Sequence, residues 1–163
     1  LKISIVLFIF LQNAYSNDKI AYLDIDFILS NSNKGKLIIR KLEEKHKVNI
    51  SKLKEKEIIL KNLESDIERK KNIISKEELN TQIENLKKKI IVFRKEKEKL
   101  VNEFNNLKKE EISKLMKEIN PIITNYVKEK SIGVVLDKKN ILIGKATYDI
   151  TNDLLDLVNI KLK

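Results

Sequence analysis

An α+β fold, in which a long antiparallel, coiled-coil-like helical hairpin arm projects from a small β-strand body, follows from three features of this sequence. Apolar residues recur at 3,4 spacing through residues 34–130, which is helical periodicity, in a stripe only one helix wide. A capping-box pattern at Ser75–Glu78 starts a new helix and places a hairpin tip at Asn72–Ser75, so the two halves of that stretch fold back and pair with each other. Short apolar runs outside it, at Lys19–Leu23, Ile132–Leu136 and Ile141–Ile143, have the length and composition of strands.

The first element is an export signal, residues 1–16. Lys2 supplies a positive charge, Ile3–Leu11 is apolar apart from Ser4, and Ala14 and Ser16 place small residues at −3 and −1 of a cleavage site. Nine residues rise only about 14 Å as a helix, too little for a hydrocarbon core of about 30 Å. The mature chain is then Asn17–Lys163. Its body comprises residues 17–33 and 131–163, and its arm residues 34–130.

After the strand Lys19–Leu23, Asp26 is placed to cap a brief helix at Phe27–Leu29, ahead of the polar break Ser30–Asn33. The first arm helix carries a seam at Ile39, Leu42, His46, Asn49, Leu53, Lys56, Leu60, Leu63, Ile67, Lys70 and Ile74. Ser75-Lys76-Glu77-Glu78 has the form of a capping box and opens the return helix. Its seam runs Leu79, Ile83, Leu86, Ile90, Phe93, Lys97, Leu100, Phe104 and Leu107. The phase then slips to Ile112, Leu115, Ile119, Ile122 and Tyr126, as expected where a helix leaves one partner and enters the body. Pro121 predicts a kink or break there. Asp149 caps a closing helix with Ile150, Leu154, Leu157 and Val158 on one face.

Three short strands and a helix make too small a core to stand alone, and sharing strands between subunits is the remedy. Val134, Leu136, Ile141 and Ile143 are the candidate residues of that shared core.

Charge is concentrated on the arm. Residues 34–130 hold 27 Lys and Arg against 17 Asp and Glu, while the rest of the chain is balanced. Such a field attracts anionic partners, whether acidic unfolded chains, anionic lipid or lipopolysaccharide, or nucleic acid; it also serves solubility. Lys outnumbers Arg 31 to 3, which suits diffuse attraction more than base readout, and the export signal also argues against nucleic acid. The absence of Cys excludes a disulfide framework and thiolate chemistry. No glycine-rich phosphate loop is present, the carboxylates are dispersed among lysines at i,i+4 spacing, and the single His46 lies on a helix seam. An enzyme, a metal site and a cofactor are therefore not expected.

A further set of apolar residues lies off both seams: Ile38, Val48, Ile50, Ile58, Ile59 and Ile73 on the first helix, and Ile91, Val92, Val101 and Ile112 on the second. They either broaden the core stripe or form a scattered apolar surface for multi-point gripping of an unfolded chain. Ile58, Ile59, Ile91 and Val92 are the candidate client-binding residues.

The order of elements, with Lys19–Leu23, the Val134-Val135-Leu136-Asp137 strand and Asp149-Ile150-Thr151 before the last helix, resembles the Skp/OmpH family of periplasmic chaperones across nearly all of the mature chain. The resemblance implies a homotrimer with a small barrel built from strands of three subunits. Three arms would enclose unfolded outer-membrane β-barrel proteins without ATP. It also raises a lipopolysaccharide contact through basic arm residues, with no lysine assigned. A structural tether of the cell envelope, binding a folded partner, is the alternative reading of the same hairpin.

Overall fold

The computed structural model describes residues 19–162. Their order is β1 (Lys19–Leu23), α1 (Ile25–Asn31), α2 (Asn33–Lys70), α3 (Lys76–Glu129), β2 (Ile132–Asp137) and α4 (Thr151–Lys161), with 3-10 turns at Lys138–Asn140 and Ala146–Tyr148 before α4. The described chain is mostly helical, with two long helices and a two-stranded parallel sheet. The expected export signal lies outside the described residues.

The core belongs to the body, where the two strands, α1, the end of α3 and α4 converge. Ala21, Leu23, Ile28, Leu115, Ile119, Ile150, Leu154 and Val158 form one buried cluster, and Ile28, Ile119, Leu154 and Val158 expose no surface at all. Each such side chain contributes about 1.5–3 kcal/mol by leaving water, so folding free energy is concentrated here. The slipped phase of α3 delivers Leu115 and Ile119 to this cluster, with Ile122 and Tyr126 packed against it. Gly35 permits the close approach of α1 and α2, because a Cβ there would collide with the Leu29 carbonyl.

The strand pairing contains one irregularity with consequences. Lys19 pairs with Ile132 and Ile20 with Val134, so Gly133 is the extra residue of a bulge. A bulge changes which side chains face inward. Simple alternation would put Ile132, Val134 and Leu136 on one face; instead Ile132 and Val135 pack on the core, while Val134 and Leu136 are exposed.

The structure corrects three expectations about local elements. Ile141–Ile143 is not a strand. After the first 3-10 turn the chain runs on irregularly to the Tyr22 side chain of β1, where Gly144 lies against the Tyr22 ring and the Tyr22 hydroxyl donates to the Lys145 carbonyl at 3.1 Å. The far edge of β1 is taken by Asp149, bridged to Tyr22, and the Ile150 amide donates to the Tyr22 carbonyl at 3.0 Å. A second correction concerns α1, which begins earlier than expected. Its cap is Asp24, whose Oδ1 accepts from the Phe27 amide at 2.9 Å, while Asp26 pairs with Lys139 at 2.6 Å. At Pro121, where a kink or a break is expected, α3 continues without a break. A proline inside a helix costs about 3 kcal/mol, and the burial of Ile119 and its neighbours offsets that locally. Last, the cap of α4 sits one residue later than expected; Asp149 Oδ1 still accepts from the Thr151 amide at 3.0 Å.

Candidate functional site

The arm is closed by local chemistry at both ends. Ser32 caps α2 by accepting from the Gly35 amide at 3.1 Å, and Ser75 caps α3 by accepting from the Glu78 amide at 3.1 Å. Glu78 accepts from Gln82 at 3.3 Å rather than closing the expected reciprocal box. The turn between the helices occupies residues 71–75.

Along the hairpin, Leu53, Leu60, Leu63 and Ile67 of α2 are half-buried, as are Ile83, Leu86, Ile90, Phe93, Leu100, Phe104 and Leu107 of α3. Only Leu42 and Asn49 of the expected α2 seam become fully buried. The expected seam position Lys97 is exposed, and Glu96 takes its place. The reason is electrostatic. Lys52 reaches Glu96 at 2.9 Å, and Lys56 meets the other carboxylate oxygen. Hydrogen bonds from Lys56 and then Lys52 hold the Glu96 carboxyl below the usual carboxylate range.

Two more cross-hairpin pairs, Lys34 with Glu118 and Lys41 with Glu111 at 2.8 Å, have the same polarity, lysine on α2 and glutamate on α3. Each exposed pair contributes little alone, because water screens it. Together they favour this register over a slipped one. Sequence reading missed this ladder, although matching Lys and Glu positions on opposite helices were its available signal. His46 is exposed, with its ring 5.2 Å from that of Phe104 on the other helix.

Ile58, Ile59, Ile91 and Val92 are all exposed. Their arrangement divides them, however. Ile59 and Val92 line one groove with the half-buried Leu60 and Phe93, whereas Ile58 and Ile91 lie outside it. Val48, Ile50, Ile73 and Val101 are exposed too, while Ile38 packs against the body core.

On the body, Val134 and Leu136 are exposed, Ile141 is half-buried and Ile143 is 90% exposed. Leu136, Ile141 and Ile143 line a common concavity with Ile20, Tyr22 and Tyr148; Val134 lies outside it. The segment after β2 is held by polar contacts invisible in the sequence. Lys138 pairs with Asp149 at 2.7 Å. Burial opposes ionisation of Asp149, but bonds from Lys138 and Thr151 outweigh it and keep the carboxyl below its ordinary range. Nearby, burial and the hydrogen bond to Asp153 push the Tyr126 hydroxyl up to about 12.

A basic hairpin with exposed apolar side chains along its flanks, set on a small α+β body, defines an arm-bearing protein. The chain belongs to the OmpH-like outer membrane protein family, whose sequence model matches residues 19–158. Its fold is similar to a crystal structure from Caulobacter crescentus CB15, a protein provisionally described as an outer membrane chaperone (OmpH-like). The TM-score is 0.79 at 18% identity, over 90% of this chain and 86% of that one. Among curated proteins none matches the sequence significantly.

Proposed function

We propose that this protein is a periplasmic holding chaperone, which binds unfolded outer-membrane β-barrel proteins through its arm and prevents their aggregation without ATP or a cofactor. The observation that carries this reading is the coexistence, on one hairpin, of surplus positive charge and exposed apolar side chains that the seam does not use. Charge speeds encounter with acidic chains and weakens with salt; apolar contacts slow escape and are insensitive to screening. Family membership and the Caulobacter structure support the same reading.

The active assembly in this reading is a homotrimer held by the body. An isolated two-stranded sheet is marginal, and Ile20, Val134, Leu136, Leu142 and Ile143 leave apolar surface open beside it. Strands shared among three subunits would form the barrel, burying Val134, Leu136, Ile141 and Ile143. Catalysis has no place in this account.

The test is dilution of a urea-unfolded outer-membrane β-barrel protein into buffer with the purified chain, without nucleotide, followed by light scattering. Aggregation should be suppressed at about one trimer per client. Unchanged aggregation at excess protein would refute the reading, and specific binding to a folded envelope protein in its place would favour the tether.

A further inference from the structure

The four candidate client-binding residues are not equivalent, and their division identifies a defined contact on the arm. Ile59 of α2 and Val92 of α3 flank a groove floored by Leu60 and Phe93. Its volume of about 290 Å³ falls just below the range of about 300–1,000 Å³ that encloses small-molecule ligands. It suits one or two large apolar side chains.

The rim gives the charge of the occupant. Lys56, Lys88, Lys89 and Glu96 border the groove. Glu96 is the only acid among them, and it is already engaged by Lys52 and Lys56. Among the described residues Lys88 and Lys89 make no ion pair within 4 Å; Lys88 acts on Glu84 only at longer range, and Glu84 is paired with Lys87 at 2.8 Å. A bound segment therefore meets an apolar floor beside two ammonium groups that are free to take a carboxylate. The complementary ligand carries a carboxylate next to its apolar anchors.

We infer that the groove between Ile59 and Val92 is a client subsite for an extended segment with apolar side chains at alternate positions and an adjacent Asp or Glu, seated by Lys88 and Lys89. This rests on the holding reading, which supplies the unfolded partner. Alternation follows from geometry, since an extended chain presents every second side chain to one face. Ile58 and Ile91 are spectators at this subsite.

Two fluorescent peptides of identical alternating Leu/Thr sequence, one ending in Glu-Glu and one in Lys-Lys, provide the probes, with anisotropy measured on the intact assembly. The parent should bind the Glu peptide at least tenfold more tightly than the Lys peptide at low salt. Ile59→Ser with Val92→Ser should weaken the Glu peptide about tenfold or more, as loss of two apolar contacts implies. Ile58→Ser with Ile91→Ser should change it less than about twofold. Lys88→Glu with Lys89→Glu should reverse the preference between the peptides, and it changes no packed side chain should the serine pair disturb the helices.

Equal weakening by the two serine pairs, equal affinity for the two peptides, or no peptide binding would each overturn the subsite. Aggregation suppression by the parent separates the cases. A parent that protects an unfolded barrel protein while failing these tests loses the subsite and keeps the holding function; a parent that protects nothing loses the function itself.

Discussion

The body and the arm of this chain are both built from apolar residues at regular spacing, yet they use them oppositely. In the body, Ile28, Ile119, Leu154 and Val158 are completely enclosed by elements arriving from four directions. In the arm, each seam residue has a single partner helix, so Leu60, Ile90 and Phe93 remain half-covered. The lesson is geometric: two helices can cover one stripe of each other and no more. Such an arm keeps its shape while leaving apolar surface at the flanks. A site there needs no cavity in a folded core.

That contrast can be broken by truncation. Ile119→Ala or Leu154→Ala should cost about 2–5 kcal/mol, whereas Leu86→Ala or Ile90→Ala in the arm should cost less than half as much. Urea unfolding monitored by circular dichroism gives the comparison; equal losses would mean that the arm, too, is a true core. A smaller effect is expected at the joint of the two regions. Gly35→Ala should destabilise by about 1–3 kcal/mol, since the new methyl meets backbone with no room to yield.

Ser131, just beyond the C-cap of α3 and at φ 53°, should respond in the other direction. Replacing it by Gly removes the left-handed penalty, with a gain of about 1 kcal/mol in the same unfolding assay. The smallest effect concerns pH. The folded-state pKa of Asp149 is depressed, so its contribution is present above the unfolded value of about 3.9 and is lost as pH falls through the folded one. Asp149→Asn should lower stability by less than about 1 kcal/mol at neutral pH, and by nothing under strongly acid conditions, where parent and variant converge.

Long-range periodicity was the legible part of the sequence. The arm stripe, its turn, the phase slip beyond Leu107 and the strand Lys19–Leu23 all follow from spacing and caps. The irregular course of Ile141–Ile143 was not legible, because three consecutive apolar residues fit a strand and a connecting segment equally. Whether they extend the sheet depends on which edge is free, and Asp149 had taken it. The inward turn of Val135 escaped for a similar reason: one bulge at Gly133 inverts the alternation.

At the candidate site, the off-seam spacing of Ile58, Ile59, Ile91 and Val92 left a broader core stripe and an exposed surface both open, and the structure exposes all four. Their separation into a shared groove and two outlying positions was not legible. It depends on helix rotation, which the Lys52–Glu96 and Lys56–Glu96 pairs help to fix.

The central claim is that association and stability reside in the body and holding resides in the arm. Replacing residues 53–100 by a short Gly-Ser turn removes matched lengths of both helices while leaving the whole core cluster intact. Light-scattering mass and aggregation suppression, measured on the same sample, test the claim directly. A soluble trimer that no longer protects an unfolded outer-membrane protein is the expected result. A monomer, or a trimer that protects as well as the parent, would contradict it.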